Sequence, residues 1–220
     1  MNASPILVTG ATGFLSAAVA CALLARGETV IGIDNFNDYY PISLAEARVA
    51  AIEAVADGPF IIHHVDFADH AALSGADFDR IFHLGAQAGV RCAIDNPRAC
   101  IHSNVAGHLN LLELGQTRGI AHLVYASSSS IYGGDATLPF KVDEHADRPL
   151  SLYAATKRAD ELMSETYAHR YRLPQTGLRF FTLYGPCGWP DMAMWLFTSA
   201  ILEGQPIQVF NHGDMRRDFA

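Results

Sequence analysis

Ile6-Leu7-Val8-Thr9-Gly10-Ala11-Thr12-Gly13-Phe14-Leu15-Ser16 decides the fold: an apolar strand runs into a turn with paired glycines, and the turn opens a helix. Glycine at such a turn lets the chain reverse tightly and lets the backbone approach a pyrophosphate. The helix that follows offers free N–H groups and the positive end of its dipole to phosphate. A glycine turn by itself is weak evidence, but its context strengthens it. Asp34 ends the second predicted strand, 24 residues after Gly10, the spacing of a carboxylate that accepts hydrogen bonds from both ribose hydroxyls. A carboxylate there repels a 2′-phosphate, which favours NAD over NADP.

Working outward, short apolar runs alternate with longer helical patterns. Ile6 to Val8, Thr29 to Ile33, Phe60 to Val65, Arg80 to Leu84, His122 to Ala126 and Thr176 to Phe181 read as strands. Phe14 to Arg26, Ser43 to Ala56, Pro97 to Arg118 and Leu152 to Arg172 read as helices. The alternation predicts an α/β fold, a doubly wound parallel sheet of Rossmann type. This nucleotide-binding domain is expected over residues 1–185. Over 186–220 a helix at Asp191 to Glu203 and a short strand at Pro206 to Phe210 are expected to begin a smaller substrate lobe, which stops at Ala220 as though truncated.

Composition narrows the function. Half of the 220 residues are hydrophobic and 17% are charged, enough for a substantial core. The net charge of -8 and the lack of a basic stripe argue against nucleic acid as a partner. Cys21, Cys92, Cys100 and Cys187 form no C-x-x-C pair and no metal-ligand spacing with histidine, so reduced thiols and no metal are expected. Adjacent His63 and His64 would point to opposite faces of a strand. No basic leader precedes Ile6, and Phe14 to Ala25 is too short to span a bilayer, so the chain reads as cytoplasmic with no membrane partner.

Tyr153-Ala154-Ala155-Thr156-Lys157 places a phenol and an ammonium four residues apart, on one helix face. The ammonium favours the phenolate, which can act as a general base near neutral pH. Bare Y-x-x-x-K pairs are common on helix surfaces. Two further segments give this one weight. Ser127-Ser128-Ser129-Ser130 follows the fifth strand, at the edge where open parallel sheets bind ligands. Arg179-Phe180-Phe181-Thr182-Leu183-Tyr184-Gly185-Pro186 follows the sixth.

Together these segments resemble the extended short-chain dehydrogenase/reductase family of NAD-dependent epimerases and dehydratases. Within it they are most similar to the UDP-glucuronate 4-epimerases, especially at Asp34 to Tyr40, Gln87 to Arg91, Ser151 to Tyr153 and Pro190 to Ala193. The resemblance implies a cofactor site built from Gly10, Thr12, Gly13, Phe14, Leu15, Asp34 and Asn35. It adds Asp66 and Phe67 near the adenine, Leu84, Gly85, Ala86 and Gln87 beside the cofactor, then Asn104, Ser127, Tyr153, Lys157 and Phe180. Ser16 stands where the family has its third glycine. Ser128, Tyr153 and Lys157 are the implied catalytic residues. Arg91, Ser128, Ser129, Ser130, Tyr153, Thr182 and Arg217 are implied to hold a UDP-sugar, with Arg217 at the diphosphate.

The implied reaction is epimerisation at the sugar C4, by transient oxidation with bound NAD. Decarboxylases and dehydratases of the family carry acidic residues in the segment that here reads Ser128-Ser129-Ser130, which argues for simple epimerisation. A non-catalytic NAD-binding module is the alternative from another class. Trp189 replaces an arginine common among these epimerases, and tryptophan cannot give a sugar carboxylate a bidentate pair. Helices Pro97 to Arg118 and Leu152 to Arg172 resemble the pair through which family members form homodimers.

Overall fold

The computed structural model describes residues 4–73, 75, 77–134, 138–214 and 218–219, with the backbone alone at 90–92. Its sheet has six parallel strands in the order β3-β2-β1-β4-β5-β6. These are β1 (Ile6–Thr9), β2 (Val30–Asp34), β3 (Phe60–His64), β4 (Arg80–His83), β5 (His122–Ser128) and β6 (Gln175–Phe180). The order reverses between β1 and β4, so the first and fourth strands leave a crevice at their carboxyl ends. Every residue of β1 and β2 is buried, as expected for central strands covered on both faces. Alternating side chains feed two cores. Leu7, Ile33, Ile81, Leu111 and Leu123 pack on one face; Ile6, Val8, Ala20, Leu24 and Ile52 pack on the other.

The helices are α1 (Phe14–Leu24), α2 (Ile42–Val55), α3 (Val90–Asp95), α4 (Pro97–Cys100), α5 (Gly107–Arg118), α6 (Leu152–Tyr171) and α7 (Ala193–Leu202). The single helix expected from Pro97 to Arg118 is interrupted. Residues Ile101–Ala106 form a π-helical turn between α4 and α5. Such turns shift the side chains that follow by one position and occur often at functional sites. Asn96 caps α4 by accepting from the Ala99 N–H, with Pro97 in the first turn, and Gly119 closes α5 in the left-handed region at φ 63. Ser151 caps α6 by accepting from the Ala154 N–H.

The predicted strand at Pro206 to Phe210 does not form: among the described residues this stretch has no ladder partner, and the bridge beyond β6 joins Thr182 to Phe219. The predicted helix at Asp191 begins at Ala193, because Met192 stays extended and caps it. No residue of α7 is buried, and Met194, Leu196, Ile201, Leu202, Val209 and Phe210 are exposed. No described helix is long and apolar enough to cross a membrane.

A polar seam crosses the first core. His83 stacks on His108 with centroids 5.2 Å apart, and His108 meets Tyr125 at 5.0 Å. His108 Nε2 and Ser164 Oγ lie 2.8 Å apart, and His83 Nδ1 and Thr9 Oγ1 also 2.8 Å. Burial, then the mutual repulsion with His108 and Lys157, holds His83 well below its usual range. Burial and Lys157 push His108 down to about 3. Both rings take up protons in the unfolded chain near 6.5 but not when folded. The stability that these two neutral rings contribute is therefore full above that pH and drains as pH falls toward about 3. The His108 share at the acid end is on the order of 4 kcal/mol. Urea unfolding between pH 7 and 4 is expected to show this loss, and His108→Gln to flatten the slope.

Candidate active site

The turn after β1 is held by backbone that meets backbone. Gly10 sits at φ 62, and a Cβ there would lie 2.5 Å from the Gly85 Cα. A Cβ on Gly13 would lie 2.9 Å from the Gly10 carbonyl oxygen. Gly13 caps α1 with no side-chain acceptor, so the helix N-terminus faces the crevice without an oxygen of its own. Ser16, at the third-glycine position, is 2% exposed. Its hydroxyl donates to the Thr9 carbonyl at 3.1 Å, so it packs in the turn and ties the helix back to the strand. Ser16→Gly is expected to lose about 1–2 kcal/mol of stability through that hydrogen bond and lower helix propensity, measurable by urea unfolding.

Asp34 closes the other side of the turn. Its Oδ2 accepts from the Thr12 N–H at 3.0 Å and its Oδ1 from the Phe36 N–H at 2.8 Å. Asn35 donates to Asp66 Oδ2 at 3.1 Å, and Asp66 Oδ1 accepts from the Ala68 N–H. The Asp34, Asn35 and Asp66 side chains thus join the ends of β2 and β3. The Phe67 ring turns away into the core, edge-on to His83. Any contact Phe67 makes to a ligand is left to its backbone.

The segment Leu84 to Gln87 leaves β4 beside the turn, with the Gly85 N–H donating to Thr9 Oγ1 at 3.0 Å. Asn104 on the π-helical turn is 1% exposed. It accepts from the Gln87 N–H at 2.8 Å and donates to Thr156 Oγ1 at 3.0 Å. Thr156 in turn donates to the Tyr153 carbonyl at 2.8 Å. The β4 loop is thereby tied to the first turn of α6.

That turn carries Tyr153, and one turn on comes Lys157, 2% exposed. The ammonium donates to Asp160 Oδ2 at 3.1 Å. Burial disfavours the charge on Lys157, but Asp160 and then Tyr153 more than offset this, and its pKa is raised. Burial pushes Asp160 up to about 6 against the pull of Lys157. At the end of β5, Ser127 and Ser128 face opposite ways. Ser128 Oγ lies 2.8 Å from Ser130 Oγ and accepts from the Ser130 N–H at 3.2 Å, inside the 3-10 turn Ser129–Tyr132. The register places Phe180 beside Ser128. The Ser127 hydroxyl is taken by Glu161 Oε1 at 2.6 Å. Glu161 also accepts from Arg179 Nε at 2.9 Å and Arg158 Nη1 at 3.1 Å. Ser127 can therefore serve a cofactor through its backbone, not its hydroxyl.

Thr182 follows β6 and bridges to Phe219. Arg217 lies outside the described residues, and Arg91 is described only by its backbone on α3. Several site residues escape a sequence reading. Arg48 on α2 is 5% exposed. It donates from Nη1 to the Thr12 carbonyl at 2.9 Å and from Nη2 to the Cys187 carbonyl at 2.7 Å. Tyr40 donates to Asp191 Oδ1 at 2.8 Å, and burial and that carboxylate raise its pKa. These contacts strap the segment after β2 to the segment before α7, across the glycine turn. Trp189 lies edge-on to Phe14 at 5.2 Å. Nothing in the sequence distinguishes Arg48 from a surface arginine. Asp160 had a signal, its three-residue spacing from Lys157.

The model of the NAD dependent epimerase/dehydratase family matches residues 6–220. Protein CapI from Staphylococcus aureus is 48% identical over 218 residues, 97% of this chain and 64% of CapI. UDP-glucuronate 4-epimerase 3 from Arabidopsis thaliana is 49% identical over 222 residues, 97% of this chain and 51% of that protein. This chain therefore spans between half and two thirds of the length of these relatives. Among solved structures, UDP-glucuronic acid 4-epimerase from Bacillus cereus, in complex with UDP-glucuronic acid and NAD, is similar at a TM-score of 0.87 and 30% identity. The match covers 98% of this chain and 68% of that one.

Proposed function

Because the chain belongs to the NAD dependent epimerase/dehydratase family, we propose that it holds NAD at the crevice between β1 and β4 and acts as a nucleotide-sugar 4-epimerase. The proposed pair of sugars is UDP-glucuronate and UDP-galacturonate. The observation that carries the reading is that α6 packs against the end of β5 and the 3-10 turn that follows it. Tyr153 and Lys157 share a face of α6, and the hydroxyls of Ser128 and Ser130 lie at the end of β5. The first turn of α6 is tied to the cofactor side through Thr156 and Asn104.

The residues present fit a dinucleotide. The uncapped N-terminus of α1 suits a diphosphate, and the close packing of Gly10 against Gly85 leaves no side chain in the way. Asp34 at the end of β2 suits a ribose diol. NAD, when bound, supplies reversible hydride acceptance. Tyr153 takes the proton from the sugar C4 hydroxyl and returns it, with Ser128 donating to the same oxygen. Lys157 keeps positive charge beside the phenol and would help hold the nicotinamide ribose. Ser129, Ser130 and Thr182 would line the sugar, and the resemblance assigns Arg91 to the substrate and Arg217 to its diphosphate. An all-hydroxyl segment gives no second acid or base to expel a hydroxyl, which supports epimerisation over dehydration.

The resemblance to glucuronate-specific relatives supports that sugar, although Trp189 beside Phe14 offers no cation to its carboxylate. Exposed Ile101, Leu109 and Leu162 support a homodimer through the α5–α6 side. Incubating the protein with NAD and UDP-glucuronate and following products by proton NMR tests the proposal. UDP-galacturonate is the expected product. A UDP-pentose or a deoxysugar would reassign the chemistry to decarboxylation or dehydration.

A further inference from the structure

We propose that Asp160 is a positioning residue of this site: its buried carboxylate is the counter-charge that anchors the Lys157 ammonium on the Tyr153 face of α6. The inference rests on the reading of Tyr153 and Lys157 as the reactive pair. The two side chains are 3% and 1% exposed and meet at 3.1 Å with i,i+3 spacing. An isolated ammonium at such depth would give up its proton. Of the groups around it, Asp160 favours the charged ammonium most, ahead of Tyr153 and Cys100, and it is the one whose carboxylate touches it. Glu161, next on α6, is engaged by Ser127, Arg158 and Arg179. His83 on β4 and His108 on α5 are held neutral by burial. Tyr125 on β5 is kept protonated by burial. The Cys100 thiol on α4 takes a hydrogen bond from Asn104 at 3.3 Å.

The second carboxylate oxygen makes the case stronger. Asp160 Oδ1 is buried with no hydrogen-bond partner among the described residues. Buried polar atoms are nearly always satisfied. A buried pair with one oxygen stranded is poorly built for stability alone. Burial pushes the carboxyl up to about 6 against the pull of Lys157.

The sequence makes the test clean, because Lys141 and Lys157 are its two lysines. The protein is prepared with lysine carrying 13C at Cε, and the two signals are followed by NMR from pH 5 to 11. Exposed Lys141 serves as the internal reference. In the wild-type protein the Lys157 signal is expected to inflect near pH 6, where Asp160 takes up its proton, and to keep its charge at least as far into the alkaline range as Lys141. In Asp160→Asn the inflection is expected to vanish and Lys157 to lose its charge at least about one pH unit earlier, with Lys141 unmoved. Identical Lys157 titrations in the two proteins would overturn the proposal. Should the variant fail to fold, a wild-type Lys157 that loses its charge at lower pH than exposed Lys141 overturns it as well.

Titrating NAD into the same samples separates this inference from the reading beneath it. Expected is a Lys157 shift on NAD addition and a several-fold weaker NAD affinity in Asp160→Asn. A wild-type protein that ignores NAD, yet shows the acid inflection, would sink the cofactor reading and leave the anchor standing. NAD bound equally well by both proteins, with equal Lys157 titrations, would do the reverse.

Discussion

Tyr153→Phe is expected to slow turnover of UDP-glucuronate by about a hundredfold to ten-thousandfold, the range attributed to a positioned general base. The change removes one oxygen and keeps the ring. Ser151 still caps α6, and the Thr156 bond to the Tyr153 carbonyl uses backbone that phenylalanine also has. The helix, the Asn104 tie to Gln87 and the Lys157–Asp160 pair therefore survive. NAD affinity should stay within a few-fold of wild type, read by fluorescence titration, while steady-state kcat collapses. A variant that keeps wild-type kcat would remove the phenol from the chemistry. A variant that loses NAD as well would mean the hydroxyl has a structural task that the contacts of α6 do not suggest.

Gly10→Ala is expected to have the largest effect on stability. Two costs add at this position. The residue sits at φ 62, where a Cβ costs roughly 1 kcal/mol. The new methyl would also lie 2.5 Å from the Gly85 Cα and 3.1 Å from its nitrogen. Both neighbours are backbone at the end of β4, so no side chain can swing aside. The turn or the strand must move, at a total cost of about 3–4 kcal/mol. Thermal melting should fall by about 10 °C for a chain of this size, and NAD affinity with it. An unchanged melting curve would mean that the crevice between β1 and β4 yields more easily than this packing implies. Gly27→Ala is a useful control, since it shares a positive φ of 75 but has no atom within 4 Å of its Cβ.

Much of the sheet was legible because parallel strands buried on both faces write unbroken apolar runs. Ile6 to Thr9 and Val30 to Asp34 are such runs, and both are wholly buried. The π-helical turn was not legible. Ile101 to Ala106 holds no glycine or proline to mark a break, and the extra residue accompanies the tertiary contacts of Asn104 with Gln87 and Thr156. The stretch Pro206 to Phe210 has the composition of a strand but no neighbouring strand to pair with among the described residues. Composition supplies propensity; a ladder needs a partner.

The site divides along the same line. Tyr153 and Lys157 announce themselves through local spacing, which the helix preserves, while Ser128 is picked out of its serine run by the family resemblance. Ser127 and Ser128 are indistinguishable as letters, and only the alternation of β5 sends one hydroxyl to Glu161 and the other to Ser130. Arg48 owes its place to the carbonyls of Thr12 and Cys187, which lie 36 and 139 residues away along the chain. Long-range partners of that kind leave no local trace.

Whether the hydrogen at C4 of the sugar leaves and returns through a cofactor that stays bound can be read in one labelling experiment. UDP-glucuronate carrying deuterium at C4 is incubated with the protein and NAD in ordinary water, and the product is isolated. The deuterium should be retained at C4 of UDP-galacturonate, because Tyr153 exchanges only the hydroxyl proton. Loss of deuterium to solvent, with hydrogen from water in its place, would contradict the proposed chemistry.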